Sequence, residues 1–137
     1  MDPQNRIHTP LTWRLVQAEH LLLLGLLCAL ALSHLRQVRL GAFALALVSI
    51  DLIGYLPGAL AYRRAAGRPI APLYHHLYNV THSYLSAAVV LALWGLIHGG
   101  PEWAMLAVPI HLEGDRGLFG NTYKPLELPF EPLAVRP

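Results

Sequence analysis

His111-Leu-Glu-Gly-Asp115-Arg116 puts an imidazole and a carboxylate four residues apart, which on a helix is one face. A neutral imidazole nitrogen and a carboxylate oxygen together make a good half-site for zinc, manganese or iron. The plainer alternatives are a hydrogen-bonded pair that staples helices, or a pairing of Asp115 with Arg116. Earlier in the chain, His75, Asn79 and His82 stand at i, i+4 and i+7, again one stripe. His82 is the stronger candidate there, because His75 and His76 fall near a segment end where water reaches them. Thr81 and Ser83 can bond back to their own helix and need no further role. Asp51 lies in Ser49-Ile50-Asp51-Leu52-Ile53-Gly54-Tyr55-Leu56-Pro57-Gly58. Gly54 allows another helix to come close, Tyr55 can cap a site with its hydroxyl, and Pro57-Gly58 bends the helix. Glu19, beside His20 and one turn past Arg14, suits a surface ion pair as well as a site.

These groups matter because of what surrounds them. The chain has 137 residues, 55% hydrophobic and only 13% charged, with mean hydropathy +0.43. Ordinary soluble domains are about 25% charged, so a single integral membrane domain over residues 1–137 is the expected organisation. An ionisable side chain in the middle of a bilayer costs roughly 2.5–3.5 kcal/mol by insertion scales. Several of them in one small membrane domain imply that they face one another and share a metal ion or a proton. A net charge of +2 with no basic patch argues against nucleic acid as a partner. The single Cys28 excludes an intramolecular disulfide and a cysteine-based zinc site. The first apolar run is long and followed by others, so it reads as a retained helix and not a signal peptide.

A bilayer core of about 30 Å needs roughly 20 apolar residues per helix. Four spans meet this, at about Leu15–Leu35, Leu40–Tyr62, Leu73–Ile97 and Trp103–Leu118, the last shorter and carrying Pro109. The expected fold is therefore all-α, a four-helix transmembrane bundle with a short, proline-rich, irregular C-terminal tail. Arg6, Arg14, Arg63, Arg64, Arg68, Arg116, Lys124 and Arg136 fall on one side of that topology, and only Arg36 and Arg39 on the other. The bias places both termini in the cytoplasm of a multi-pass cell-membrane protein. Trp13 and Trp103 read as interfacial residues. At ~1.5 Å per residue, Glu19, Asp51, Asn79, His82, His111 and Asp115 then converge in the cytoplasmic half of the bilayer. The glycines Gly117 and Gly120 suggest a tight re-entry of the chain beside them.

With these residues in view, the chain resembles an uncharacterised family of small bacterial four-helix integral membrane proteins. The likeness covers roughly residues 14–125 and rests on Arg14-Leu15 with a displaced Glu19, Asp51-Leu52 with Gly54-Tyr55, Tyr78-Asn79-Val80-Thr81-His82, and His111 to Arg116. The last two motifs are the most specific. A more distant likeness is to membrane-bound metal-dependent hydrolases related to zinc phospholipase C, through Thr81-His82-Ser83, His111 with Asp115, and Gly120 to Pro125. Those proteins carry a further metal-binding His and Asp that have no counterpart here, so the likeness implies at most a single-metal version.

The leading expectation is a metal-dependent hydrolase acting on an amphipathic substrate, lipid or phosphoester. His82, His111, Asp115 and Asp51 are the expected ligands of a divalent ion (zinc, manganese or iron), which lowers the pKa of water toward ~7. Asp51, Asn79 and Tyr55 are the candidate catalytic or orienting residues, and Arg116 and Lys124 the candidates to hold substrate charge. The bilayer is the expected partner, with a homo-oligomer or larger membrane complex open. Two other readings remain: a proton- or ion-handling protein using Asp51, His82 and His111 as a relay, and an accessory subunit whose polar groups only glue helices. Such bonds average ~0.6 kcal/mol, which makes six of them a poor choice for adhesion alone.

Overall fold

Thr9 accepts a hydrogen bond from the Thr12 amide and Pro10 occupies the first turn, so helix α1 starts at Pro10 and runs to Ser33. That is five residues earlier than hydropathy alone suggests, because the cap and the proline, not the apolar run, set the start. Its 24 residues span ~36 Å, enough for a bilayer core. Leu22, Leu26 and Leu32 on its surface are mostly exposed, as suits hydrocarbon and not water. The structure is a computed structural model describing residues 9–131; Arg6, His8, Pro132, Arg136 and Pro137 lie outside the described residues.

Every regular element among the described residues is helical. Helices α2 (Leu40–Gly54) and α3 (Leu56–Arg64) are separated only at Tyr55 and together form one candidate span, Leu40–Arg64. Pro57 falls in the first turn of α3, where its missing N–H has no intrahelical partner to lose.

The third expected span is not one helix. It divides into α4 (Pro72–Thr81) and α5 (Tyr84–His98), bent by 57°. The Thr81 hydroxyl donates to the Leu77 and Tyr78 carbonyls, as expected. Ser83 does something else: its Oγ accepts from the Ser86 amide and caps the next helix. His82 is left at the break.

The fourth expected span is also corrected. A 3-10 turn at Trp103–Leu106, helix α6 at Ala107–Gly114 and a π-helical turn at Asp115–Phe119 replace a continuous helix. Pro109 stands in the first turn of α6, which explains why regular helix begins only there. Far from facing lipid, this segment is the centre of the fold, with Ala104, Ala107, Val108, Leu112 and Glu113 buried. Helices α1, α2 and α5 pack around it. Two helices are long and apolar enough to cross a membrane, or three if α4 and α5 count as one broken span.

One end of the molecule is tied by its loops. Arg39 donates to both Glu102 oxygens, at 2.7 and 2.6 Å, and to His98 Nε2 at 2.8 Å. Trp103 donates to Gln37 Oε1 at 2.8 Å and stacks on His34 at 3.7 Å. The tail after Gly120 is irregular, as expected, but it is docked: Phe130 is 1% exposed and packs with Ala59 and Tyr78. The approach requires Gly58, where a Cβ would come within 2.2 Å of the Phe130 ring.

Candidate metal centre

Asp51, His82, His111 and Asp115 come together from three parts of the chain, and one potential ligand atom from each lies within 4.8 Å of the others. Gly54 makes this possible on one side, since a Cβ there would meet Thr81 Oγ1 at 1.9 Å and hold the end of α4 off α2. The close-packed junction sets His82 against Asp51, with Nε2 to Oδ1 at 3.4 Å. Helix α6 and its π-helical turn bring the other two, with His82 Nε2 to Asp115 Oδ2 at 3.3 Å. His111 Nε2 lies 3.6 Å from Asp51 Oδ1 and 3.8 Å from Asp115 Oδ2. A tetrahedral ion with donors ~2.0–2.2 Å away spaces them about 3.3–3.6 Å apart. The His82 distances fall in that range and those of His111 reach just beyond it, so the four residues are close enough to hold a metal ion.

The charge balance also fits. Two carboxylates and two neutral imidazoles carry −2, so a divalent cation would leave the cluster neutral where unbalanced charge is costly. The histidines are prepared for such a role. His82 is 4% exposed, and its Nδ1–H donates to the Tyr78 carbonyl at 2.9 Å, so that Nε2 is the nitrogen facing the cluster. That outer hydrogen bond is the usual way a ligating histidine has its tautomer fixed. Its ring stacks on Tyr78 at 3.9 Å with 14° between planes. His111 Nε2 is buried and has no hydrogen-bond partner. Its nearest polar neighbours are the two carboxylates, just beyond hydrogen-bond reach, and a shared cation would satisfy all three groups. The side chain of Asp51 is 47% exposed, against 15% for Asp115 and 10% for His111. The cluster therefore opens on the Asp51 side.

Asp115 begins the π-helical turn, and its carbonyl accepts from the Gly120 and Asn121 amides. Gly120 has φ +66°, which closes the turn and sends the chain back toward α4, the re-entry expected from its glycines. Widened turns of this kind recur at functional sites.

The other expected site residues are placed differently. Asn79 Nδ2 donates to the Lys124 carbonyl at 3.0 Å and its Oδ1 accepts the Lys124 amide at 2.7 Å. Its amide is therefore engaged with the C-terminal segment. The Tyr55 ring stacks on Phe130 in that segment, with centroids 6.2 Å apart, and Glu131 is an electrostatic neighbour of its hydroxyl. His75, on the same stripe as Asn79 and His82, donates to the Leu128 carbonyl at 3.3 Å. Arg116 is buried, donates to the His82 carbonyl at 3.2 Å and lies over the Tyr84 ring at 3.9 Å. Lys124 Nζ donates to the Phe130 carbonyl at 2.5 Å and lies 4.8 Å from the Tyr78 ring centre. Burial pushes the Lys124 ammonium below the usual lysine range, with Glu131 and Asp115 pulling the other way.

Glu19 is exposed on α1 and does not join the convergence, while its neighbour His20 enters a separate network. His20 Nδ1 meets Glu113 Oε2 at 2.6 Å, and the Tyr84 hydroxyl donates to the other oxygen of Glu113. This second network, joining α1, α5 and α6, was readable in one respect. Glu113 sits inside the His111–Asp115 motif and bears the same solvation cost as its neighbours. The choice of His20 over Glu19 depends on helix rotation, which an all-apolar run does not fix.

No family model matches the chain, and neither a curated protein nor a solved structure matches it. The functional reading therefore rests on the geometry of the four-residue cluster.

Proposed function

We propose that this chain is a membrane-embedded, metal-dependent hydrolase acting on an amphipathic substrate, of lipid or phosphoester type, from the cytoplasmic half of the bilayer. In this reading the segment Trp103–Phe119 counts as a fourth crossing around which the other helices pack, and both termini face the cytoplasm. One observation carries the proposal: four ligand atoms from Asp51, His82, His111 and Asp115 within 4.8 Å of one another, one of them a buried ring nitrogen with no hydrogen bond. Zinc suits two nitrogens and two oxygens so arranged; manganese and iron are the other candidates. A bound divalent ion would supply Lewis acidity toward a phosphoryl or carbonyl oxygen and acidify water.

The chain's own residues do the rest. Asp51, the most accessible member, takes a proton from water entering on its side. Asp115 and the two imidazoles are more enclosed and hold position. Arg116 and Lys124 are engaged within the protein, so they act by holding the ligand-bearing elements; Asn79 does the same, and Tyr55 lines the approach. The hydrogen-bond reach between Asp51 and His82 also suits a proton relay. Ion flux in metal-free liposomes, abolished by Asp51→Asn, would select that reading instead.

The test is elemental analysis of detergent-purified wild type and His111→Ala side by side, after exposure to zinc, manganese or ferrous iron. Wild type should retain one ion per chain and the variant little. A wild type that takes up none of the three overturns the proposal. With the loaded protein, release of products from phospholipid or phosphoester mixed micelles should fall about 10²–10⁴-fold in Asp51→Asn.

A further inference from the structure

We infer that Tyr78 and Phe130 are positioning residues for His82, and that the C-terminal strap, residues 121–131, sets the affinity of the metal centre without supplying a ligand to it. The inference rests on the metal-binding reading and concerns what holds one ligand in register.

Tyr78 touches His82 twice. Its carbonyl accepts the hydrogen bond from Nδ1–H, and its ring covers one face of the imidazole. Tyr78 is itself 2% exposed, and Phe130 meets its ring edge to face at 6.2 Å and 85°. Phe130 comes from the strap and reaches this position only because Gly58 has no side chain. Lys124 Nζ lies 4.4 Å from the Phe130 ring and 4.8 Å from that of Tyr78, filling the remaining corner.

The strap is pinned along its length. Asn79 pairs both backbone groups of Lys124, Lys124 Nζ holds the Phe130 carbonyl, and His75 holds the carbonyl of Leu128. It also starts where another ligand is set, since the Asn121 amide donates to the Asp115 carbonyl at 2.9 Å. One short segment thus connects the turn bearing Asp115 to the aromatic stack behind His82. Loosening it leaves the imidazole free to turn. Loss of outer-shell orientation of this kind costs about 10–100-fold in metal affinity. Linkage requires the converse: metal binding must tighten the docked strap by the same factor.

Zinc affinity of the full-length protein, read by competition with a chromophoric chelator, tests this in wild type, Phe130→Ala, Phe130→Leu, Asn79→Ala and Trp103→Ala. Phe130→Ala and Asn79→Ala should bind about 10–100-fold more weakly. Phe130→Leu should recover most of the loss by refilling the volume. Trp103→Ala, which breaks the loop cluster at the far end, should leave affinity unchanged and so separates positioning from general destabilisation. Amide exchange on wild type needs no variant to fold: zinc should slow exchange across residues 122–131, and this effect should vanish in His82→Ala. If wild type binds no zinc, the metal reading falls and this inference with it. If wild type binds zinc, Phe130→Ala and Asn79→Ala match it, and exchange in the strap is unchanged, the inference alone is overturned.

Discussion

A Cβ at Gly54 would stand 1.9 Å from Thr81 Oγ1 and 3.0 Å from Thr81 Cβ. The hydroxyl cannot swing away cheaply, because it is bonded to the Leu77 and Tyr78 carbonyls one turn back. Gly54→Ala must therefore push the end of α4 off α2 and separate His82 from Asp51. The expected cost is about 1–3 kcal/mol, the usual range for overpacking a close contact, together with loss of metal uptake. Gly25→Ala, where nothing lies within 4 Å of the added methyl, should be neutral or stabilising by helix propensity. Thermal unfolding in detergent compares the two, and a Gly54→Ala protein with wild-type stability and metal content would refute the account. At this scale the sequence was most readable where solvation is most expensive. Asp51, His82, His111 and Asp115 were singled out because each is costly in an apolar run, and the structure brings those four together. Asn79 was costly for the same reason, but its partner is the backbone of Lys124, and no residue type or spacing announces a backbone partner.

The break between α4 and α5 places His82, and it depends on one side chain. Ser83→Ala removes the acceptor of the Ser86 amide and should destabilise by about 1 kcal/mol, within the 0.5–2 kcal/mol typical of lost caps, visible as a lower melting temperature. The break was hidden in the sequence because the apolar run continues through it, and hydropathy does not register a change of axis. At the other end, the hydrogen bonds from Arg39 hold the Glu102 carboxyl below its ordinary range. A carboxylate so shifted adds stability at pH values above its unfolded pKa, near ~4.3, and that contribution disappears as pH falls through the lower folded value. The pair is exposed, so the effect is small. Melting temperatures of wild type and Glu102→Gln should differ at pH 7 and converge as the pH falls well into the acid range. A gap that stays constant with pH would show that the clamp contributes through contact alone.

The whole molecule turns on how α6 is counted. Composition pointed to an all-helical, strongly apolar chain, and length to the two helices long and apolar enough to cross a membrane, because both depend on averages over about 20 residues. The enclosure of α6 by α1, α2 and α5 is a packing outcome that averages cannot reveal. Eight residues of α6 rise only ~12 Å, well short of a bilayer core. With the flanking 3-10 and π-helical turns, Trp103–Phe119 reaches roughly 25 Å, starting beside the Arg39–Glu102 clamp and ending where Gly120 returns the chain to α4. A segment of that reach, shielded from lipid by its neighbours, can have non-regular backbone at membrane depth, which is tolerated only inside protein. Under the proposed topology the number of crossings is even, and the strap is expected on the same side as the Arg63-Arg64 connection. Single cysteines at the exposed positions Pro69, Pro101 and Pro125, in a Cys28→Ser background, read this out through labelling of intact cells with a membrane-impermeant maleimide. Pro101→Cys should label from outside, while Pro69→Cys and Pro125→Cys should label only after lysis. Were Pro125→Cys to label along with Pro101→Cys, the chain would cross an odd number of times, and the strap that braces His82 would sit on the opposite face from the cytoplasmic substrate proposed for the site.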